Sequence, residues 1–282
     1  MPKLNASITN KRYGNAQTID EVLEQLDEII RASIAGSSRI GYFAALYRMV
    51  TAQVKIGIAE GQFDDGPRME RLDVRFANRY LQAYSDYCNG LPCSGWWRVA
   101  FEAAERSDAI VMQHLLVGMN AHINYDLGIT AAQTCTAEPL ERLHHDFNTI
   151  NSILASLTNE VKRDIDTISP WIGWLDRLGG RTTDAIIRFS MDKARSYAWA
   201  FATELSHVEG EAQEELLRHK DLFITKLALE VLKPPGWLLR TVLWLIRLRE
   251  SKDVASNIRL LNETKAAGAV KLVPPADGSL SI

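Results

Sequence analysis

At 282 residues the chain is long enough for one large domain or two small ones, and for a sizeable buried core. Its 46% hydrophobic and 24% charged residues exclude a disordered chain. A net charge of −3 leaves no basic footprint for nucleic acid.

The first 17 residues read as an N-terminal tail. They hold no apolar run of signal-peptide kind, and no stretch of the chain reaches the roughly 18 apolar residues of a membrane span, so a cytoplasmic protein is expected. Thr18-Ile-Asp-Glu21 has the form of a capping box and opens a helix through Val22, Leu26 and Ile30, which Gly36-Ser-Ser38 ends. A second helix carries Tyr42, Phe43, Leu46, Tyr47, Val50, Val54 and Ile58, before a loop from Gly61 to Pro67. From Met69 to Tyr87 a third shows Leu72, Phe76, Tyr80, Leu81 and Tyr84 on its apolar side. Cys88 to Ser94 is a turn, and Ser94 can cap a helix starting at Gly95-Trp96-Trp97. Cys88, Cys93 and Cys135 are an odd set without a second pair at metal-ligand spacing, and read as free thiols of a reducing compartment.

Ser107 or Asp108 is placed to cap the next helix and Gly128 to end it. Ala131 to Ala137 reads as a small-residue connector. Pro139 stands near the start of a helix with the stripe Leu143, Phe147, Ile150, Leu154, Leu157 and Val161. Ser169-Pro170 opens a short tryptophan-rich helix that Gly179-Gly180 ends, Thr182 or Thr183 opens a long one through Phe201, and another follows Gly210. Two more are expected at Trp237–Arg249 and Asp253–Lys265, before a flexible tail at 269–282. No segment alternates as a strand does, and no repeat is present. The expected fold is all-α, a single-domain bundle of about ten helices over residues 18–268.

The stretch from Val111 to Leu127 stands at its centre. It is hydrophobic enough for a core helix, yet at roughly 100° per residue Gln113, Asn120 and Asn124 form one polar stripe. His122 and Asp126 form another, about 160° away. A surface helix is polar on one side only, so this one is expected to be surrounded by protein. Buried polar groups are costly unless they are bonded or bind something.

His122 and Asp126 sit at i and i+4 and can address one point, as metal ligands or as a base with its orienting acid. A plain structural hydrogen bond is the competing account. Asn120, Asn124 and Gln113 can offer amides to a substrate or bond neighbouring helices. Asp73, Asn78 and Arg79 lie in an otherwise aromatic helix, where an Arg–Asp pair, joined by Arg48, can bind an anion or bridge helices. His144-His145-Asp146 suggests the ligand pattern of the all-α HD phosphohydrolases, with His122, His145, Asp146 and Asp164 or Asp166. The helical wheel opposes it, placing His145 roughly 180° from the apolar stripe and so in solvent, while Asp146 lies on the stripe's border.

The run from His114 to Leu127, with Leu72–Leu81 before it and Asp146–Asn151 after it, resembles the DUF5995 family, a bacterial domain of unknown function. The likeness spans about Ser38 to Phe201. It implies no reaction.

The residues themselves point to a small-molecule enzyme acting on a largely apolar substrate. His122, Asp126 and Asp73 are the candidate catalytic groups, and Arg79, Asn120, Asn124 and Trp97 the candidate substrate-binding groups. His122, Asp126 and Asp146 are the candidate ligands of a divalent metal ion, which would polarise a substrate oxygen or activate water and make a hydrolase the first expectation. Trp96, Trp97, Tyr80 and Tyr84 would supply apolar walls. The same walls suit a cyclase or lyase on an isoprenoid-like substrate, although no Asp-rich diphosphate-binding motif is present. The competing class is a non-catalytic helical module for a lipid-like ligand or a partner protein. Residues 237–249, with Arg240 and Arg247 edged by Trp237 and Trp244, suit packing within the protein, a homo-oligomer contact or a membrane surface.

Overall fold

A computed structural model describes residues 12–135, 139–173 and 191–263. Among them are eleven α-helices and no strand: α1 (Ile19–Gly36), α2 (Ile40–Ala59), α3 (Gly66–Cys88), α4 (Gly95–Glu105), α5 (Val111–Ala121), α6 (Gly128–Thr134), α7 (His144–Ile168), α8 (Met191–Leu205), α9 (Gly210–Leu232), α10 (Trp237–Arg249) and α11 (Val254–Glu263). A π-helical turn, His122–Leu127, joins α5 to α6 without a break, and a 3₁₀ turn, Leu140–Leu143, leads into α7. The bundle is all-α, as the sequence implies.

Local signals account for the helix starts. Thr18 accepts a hydrogen bond from the Glu21 amide at 3.2 Å, and Asp65 accepts one from the Arg68 amide at 2.9 Å with Pro67 in the first turn. The start of α5 departs from expectation. Neither Ser107 nor Asp108 caps it; the Gln113 side chain accepts from the Ile110 amide at 3.0 Å, and the Glu250 carboxylate accepts from the Val111 amide at 3.0 Å. A residue 139 positions away supplies the cap, and no local signal could have announced it. Gly128 does not end the helix either: the chain runs on through α6, so Ala131 to Thr134 is helical.

The α5–π–α6 rod is the centre of the bundle. Its first half is packed by α2, α4, α7 and α9, the π turn by α3, α8 and α9, and α6 by α3 and α8. From Val111 to Ala131 every residue is buried except Met112 and Met119, which are partly so. Two glycines permit the close approaches. A Cβ at Gly118 would lie 2.6 Å from the Phe43 ring, and one at Gly128 would lie 2.5 Å from the Phe201 ring.

Residues 12–17, read as part of the tail, lie on α3: Tyr13 and Ala16 are buried, and Asn78 exchanges hydrogen bonds with the Ala16 backbone. At the other end α10 and α11 pack back onto the bundle through Leu239, Ile246 and Ile258. No helix of the described residues is long and apolar enough to cross a membrane. The expectations placed on residues 1–11, Thr136–Ala137, Trp174–Gly180, Thr182–Phe189 and Lys265, and the flexible tail at 269–282, lie outside the described residues.

Candidate functional site

The π turn sets the site. Single π turns are frequent at functional sites, and this one contains His122, Asn124 and Asp126, all buried. Thr130 donates to the Asp126 carbonyl at 2.8 Å, which satisfies a backbone acceptor inside the widened turn. The Asp126 carboxylate is held from two sides. Arg79 Nε donates to Oδ1 at 2.8 Å, and Trp97 Nε1 donates to Oδ2 at 2.8 Å. His122 Nδ1 stands 3.8 Å from that second oxygen, beyond hydrogen-bond length.

His122 is instead held by rings. Its imidazole stacks on Phe76 with centroids 3.5 Å apart and meets Tyr47 edge-on at 4.3 Å, and neither ring nitrogen has a hydrogen-bond partner in the protein. Burial holds its pKa below the ordinary imidazole range, against the opposing pull of Asp126 and with Arg79 adding to the depression. The ring is therefore neutral at physiological pH. Asp73, on α3, is buried too. Its Oδ2 has no partner, and burial raises its pKa to about 7, with Glu70 contributing. Burial also lifts the Tyr47 phenol well above its usual range, and the nearby Asp73 and Asp126 charges add to this.

His122, Asp73 and Tyr47 share a cavity of about 590 Å³ between α2, α3, the central rod and α7. This falls within the usual 300–1,000 Å³ of small-molecule sites. Its walls are otherwise mostly aliphatic and aromatic, from Phe43, Leu46 and Val54 on α2 to Leu115 and Met119 on α5 and Leu154 and Val161 on α7. Ala155, Thr158, Lys162 and Asp166, which also line it, are exposed, so the cavity reaches the surface along α7.

The other expected site residues are placed elsewhere. Asp126 and Arg79 sit behind His122 and do not line the cavity. Trp97 likewise serves Asp126, and the expected walls Trp96, Tyr80 and Tyr84 belong to the neighbouring aromatic core. Asp73 does not pair with Arg79, whose partner is Asp126, and Arg48 pairs with Asp27 at 2.5 Å. The stripe Gln113, Asn120 and Asn124 faces α9: Gln113 donates to the Val231 carbonyl at 2.8 Å, Asn120 to the Ile224 carbonyl at 3.0 Å, and Asn124 to Asn120 Oδ1 at 2.9 Å. These amides hold a helix in register, and neither Asn lines the cavity.

The ligand set His122, Asp126 and Asp146 is not brought together. Asp146 is buried at the start of α7, where Oδ1 accepts from the Asp64 amide at 2.7 Å and Oδ2 from the Asp65 amide at 3.1 Å and Arg68 at 2.9 Å. Among the described residues it clusters instead with Asp64 and His145 at the surface. The Arg68 guanidinium already sits on that carboxylate, and His145 is solvent-exposed, as the wheel required.

Conversely, Tyr47, Phe76 and the α7 wall escaped the sequence reading as site residues, since apolar helical stripes look alike whether they face protein or a cavity. The one signal was α2, apolar on nearly every side. Fold and site together define a helical-bundle protein with a mostly apolar internal cavity that opens along α7. A family model described as "Family of unknown function (DUF5995)" matches residues 19–234, and the chain belongs to that family. The match takes in α1 through α9 and leaves α10 and α11 outside. No curated protein and no solved structure matches the chain.

Proposed function

We propose that the protein is an acid–base enzyme, a hydrolase or lyase, that works on a largely apolar small molecule held between α2, α3, the central rod and α7. One observation carries this reading: His122 and Asp73, which line a mostly apolar cavity, hold buried polar atoms with no hydrogen-bond partner. Leaving such groups unpaired costs on the order of 1–3 kcal/mol each. A ligand with an apolar body and one polar function would satisfy both.

The roles follow from chemistry. Asp73, with a pKa of about 7, can give or take a proton near neutral pH. Neutral His122 offers one donor and one acceptor nitrogen to the substrate or to an attacking water. Arg79, Trp97 and Asp126 position the turn that carries His122 and do not touch substrate. A divalent metal held by His122 has little support, because both Asp126 oxygens are already bonded and Asp146 is engaged by Arg68. Three free cysteines, none of them disulfide-bonded, fit a reducing compartment such as the cytoplasm.

The test has two arms. Wild-type protein should bind the apolar fluorophore N-phenyl-1-naphthylamine saturably, and Ala155→Trp at the cavity's exposed edge should weaken it at least tenfold. Hydrolysis of medium- and long-chain 4-nitrophenyl esters should fall at least a hundredfold in Asp73→Asn with probe binding retained. Absence of saturable binding removes the cavity reading. Binding without turnover of any ester removes the hydrolase and leaves a lyase or a carrier of lipid-like ligands.

A further inference from the structure

We infer that α10 is a docking element that seats the protein on an anionic lipid surface. Its inward side is occupied: Leu239, Val242, Leu243 and Ile246 are buried against Ile110, Leu116 and Val117 and against Ala228 and Val231 of α9. The opposite side is open. Trp237 is 77% exposed, Trp244 59% and Leu248 53%. At roughly 100° per residue these three fall in one stripe with Thr241, about 180° from the buried residues. Helix α10 is thus apolar on both faces, and only one of them has a partner among the described residues. Indole rings are at home at the headgroup level of a bilayer, where an amphipathic ring meets both phases.

Charge selects the occupant. Between Trp237 and Arg249 there are three arginines and no carboxylate; Arg247 is largely buried and pairs with Glu250 at 3.4 Å, and Arg240 and Arg249 are exposed. On the same wheel Arg240 and Arg247 flank the crest on one side and Arg249 on the other. Each is steered along its flank: Arg240 donates to the Pro234 carbonyl at 2.9 Å, Arg247 to the Ser107 carbonyl at 2.7 Å, and Arg249 lies over the Trp171 ring at 5.1 Å. A second copy docking through this crest would set arginines against arginines. An anionic lipid surface accepts indoles and arginines together, which is the composition of helices that lie in the membrane plane. With 13 residues α10 is too short to cross a bilayer.

The placement also connects to the cavity. Met112, Leu116, Met119 and Ile172 pack in the cluster beneath α10 and line the cavity as well. A docked α10 would hold that cavity one side-chain layer from the lipid. The docking itself requires nothing of what fills the cavity.

Flotation of the full chain with extruded vesicles tests the inference. Phosphatidylcholine vesicles containing phosphatidylglycerol should capture it at least tenfold more than phosphatidylcholine alone at low salt, and less as salt rises. The triple variant Trp237→Ser, Trp244→Ser, Leu248→Ser, all exposed positions, should keep its helical circular dichroism and lose at least nine-tenths of vesicle binding. Equal capture of variant and wild type overturns the inference, as does no capture by anionic vesicles. A dimer that the triple variant dissociates, without vesicle binding by the wild type, gives the face to a second copy. Apolar-probe binding measured without vesicles in the same preparations keeps the outcomes separate: if it persists while vesicle binding is absent, only the docking inference falls.

Discussion

Arg79 reaches the Asp126 carboxylate at 2.8 Å, and that pair, with the Trp97 indole on the second oxygen, decides what His122 can do. With its carboxylate committed elsewhere, Asp126 leaves the imidazole 3.8 Å away and unbonded. The His–Asp couple that the i, i+4 spacing suggested is divided into a structural acid and a free ring.

Arg79→Ala should therefore damage stability and also change His122. Asp126 is 1% exposed and would keep only the indole, whereas Arg79 is 31% exposed and its charge is partly screened. The expected loss is about 2–4 kcal/mol, below the range for a fully buried pair, and a shifted urea midpoint with unchanged slope would show it. Because Arg79 depresses the His122 pKa, NMR titration of the variant should find the imidazole titrating at higher pH than in the wild type.

Asp73 should make stability fall as pH rises. Its pKa goes from 3.8 in the ordinary state to about 7 in the fold. Between those values the native state holds a proton that the unfolded chain has released, so the slope of stability with pH is negative there. The stabilisation of the protonated form is complete below 3.8 and gone above about 7, a change on the order of 4 kcal/mol. Asp73→Asn should flatten that part of the profile and be more stable than wild type at pH above about 7. Chemical denaturation across pH would show this, and parallel profiles for the two proteins would count against it.

At the start of α7 the two members of the His-Asp doublet should behave oppositely. Asp146→Ala strips the buried Arg68 and two loop amides of their acceptor, which should cost about 3–5 kcal/mol. His145→Ala, at an exposed position, should stay within about 0.5 kcal/mol. Thermal melts with and without added Zn²⁺ provide the check. A zinc-dependent rise in the wild type that both variants lose would make the trio with Asp64 a metal site.

The glycines of the central rod can be tested by adding one methyl group. Alanine is favoured over glycine in a helix by about 1 kcal/mol, but at Gly128 the new Cβ would meet both the Phe201 ring at 2.5 Å and the Ala198 carbonyl oxygen at 3.0 Å. Backbone cannot step aside as a side chain can, so Gly128→Ala should cost about 1–3 kcal/mol net. At Gly118 the new Cβ would meet the Phe43 side chain, 2.6 Å from its ring and 3.0 Å from its Cβ, with no backbone atom among these nearest contacts, so Gly118→Ala should cost less. Their melting temperatures should rank in that order.

The helices and the central rod were legible because apolar spacing and polar stripes are local properties. The wheel separated the Asn120 stripe from His122 correctly, and the structure turns one toward α9 and the other toward the cavity. Three things were not legible. Partner choice over long separations, such as Arg79 with Asp126 or Glu250 with Val111, leaves no mark in either segment. An apolar stripe facing a void, as on α7, has the same pattern as one facing a neighbour. A carboxylate that accepts backbone amides, as Asp146 does, looks in sequence like a ligand waiting for a metal.

The π turn at His122–Leu127 has a consequence for the tolerated length of the chain. Its wider turn holds one more residue than an α turn, so everything after it is rotated by roughly 100° from where an uninterrupted helix would put it. Gly128 meets Phe201 only at that rotation. Losing one residue between His122 and Gly128 would remove that extra residue and re-form a regular helix with both ends in place, whereas a regular helix of full length would swing a side chain into the Phe201 contact. The interval between the two halves of the rod is thus fixed by count as well as by composition, and a one-residue insertion there, which rotates the second half by roughly another 100°, should be worse than a one-residue deletion.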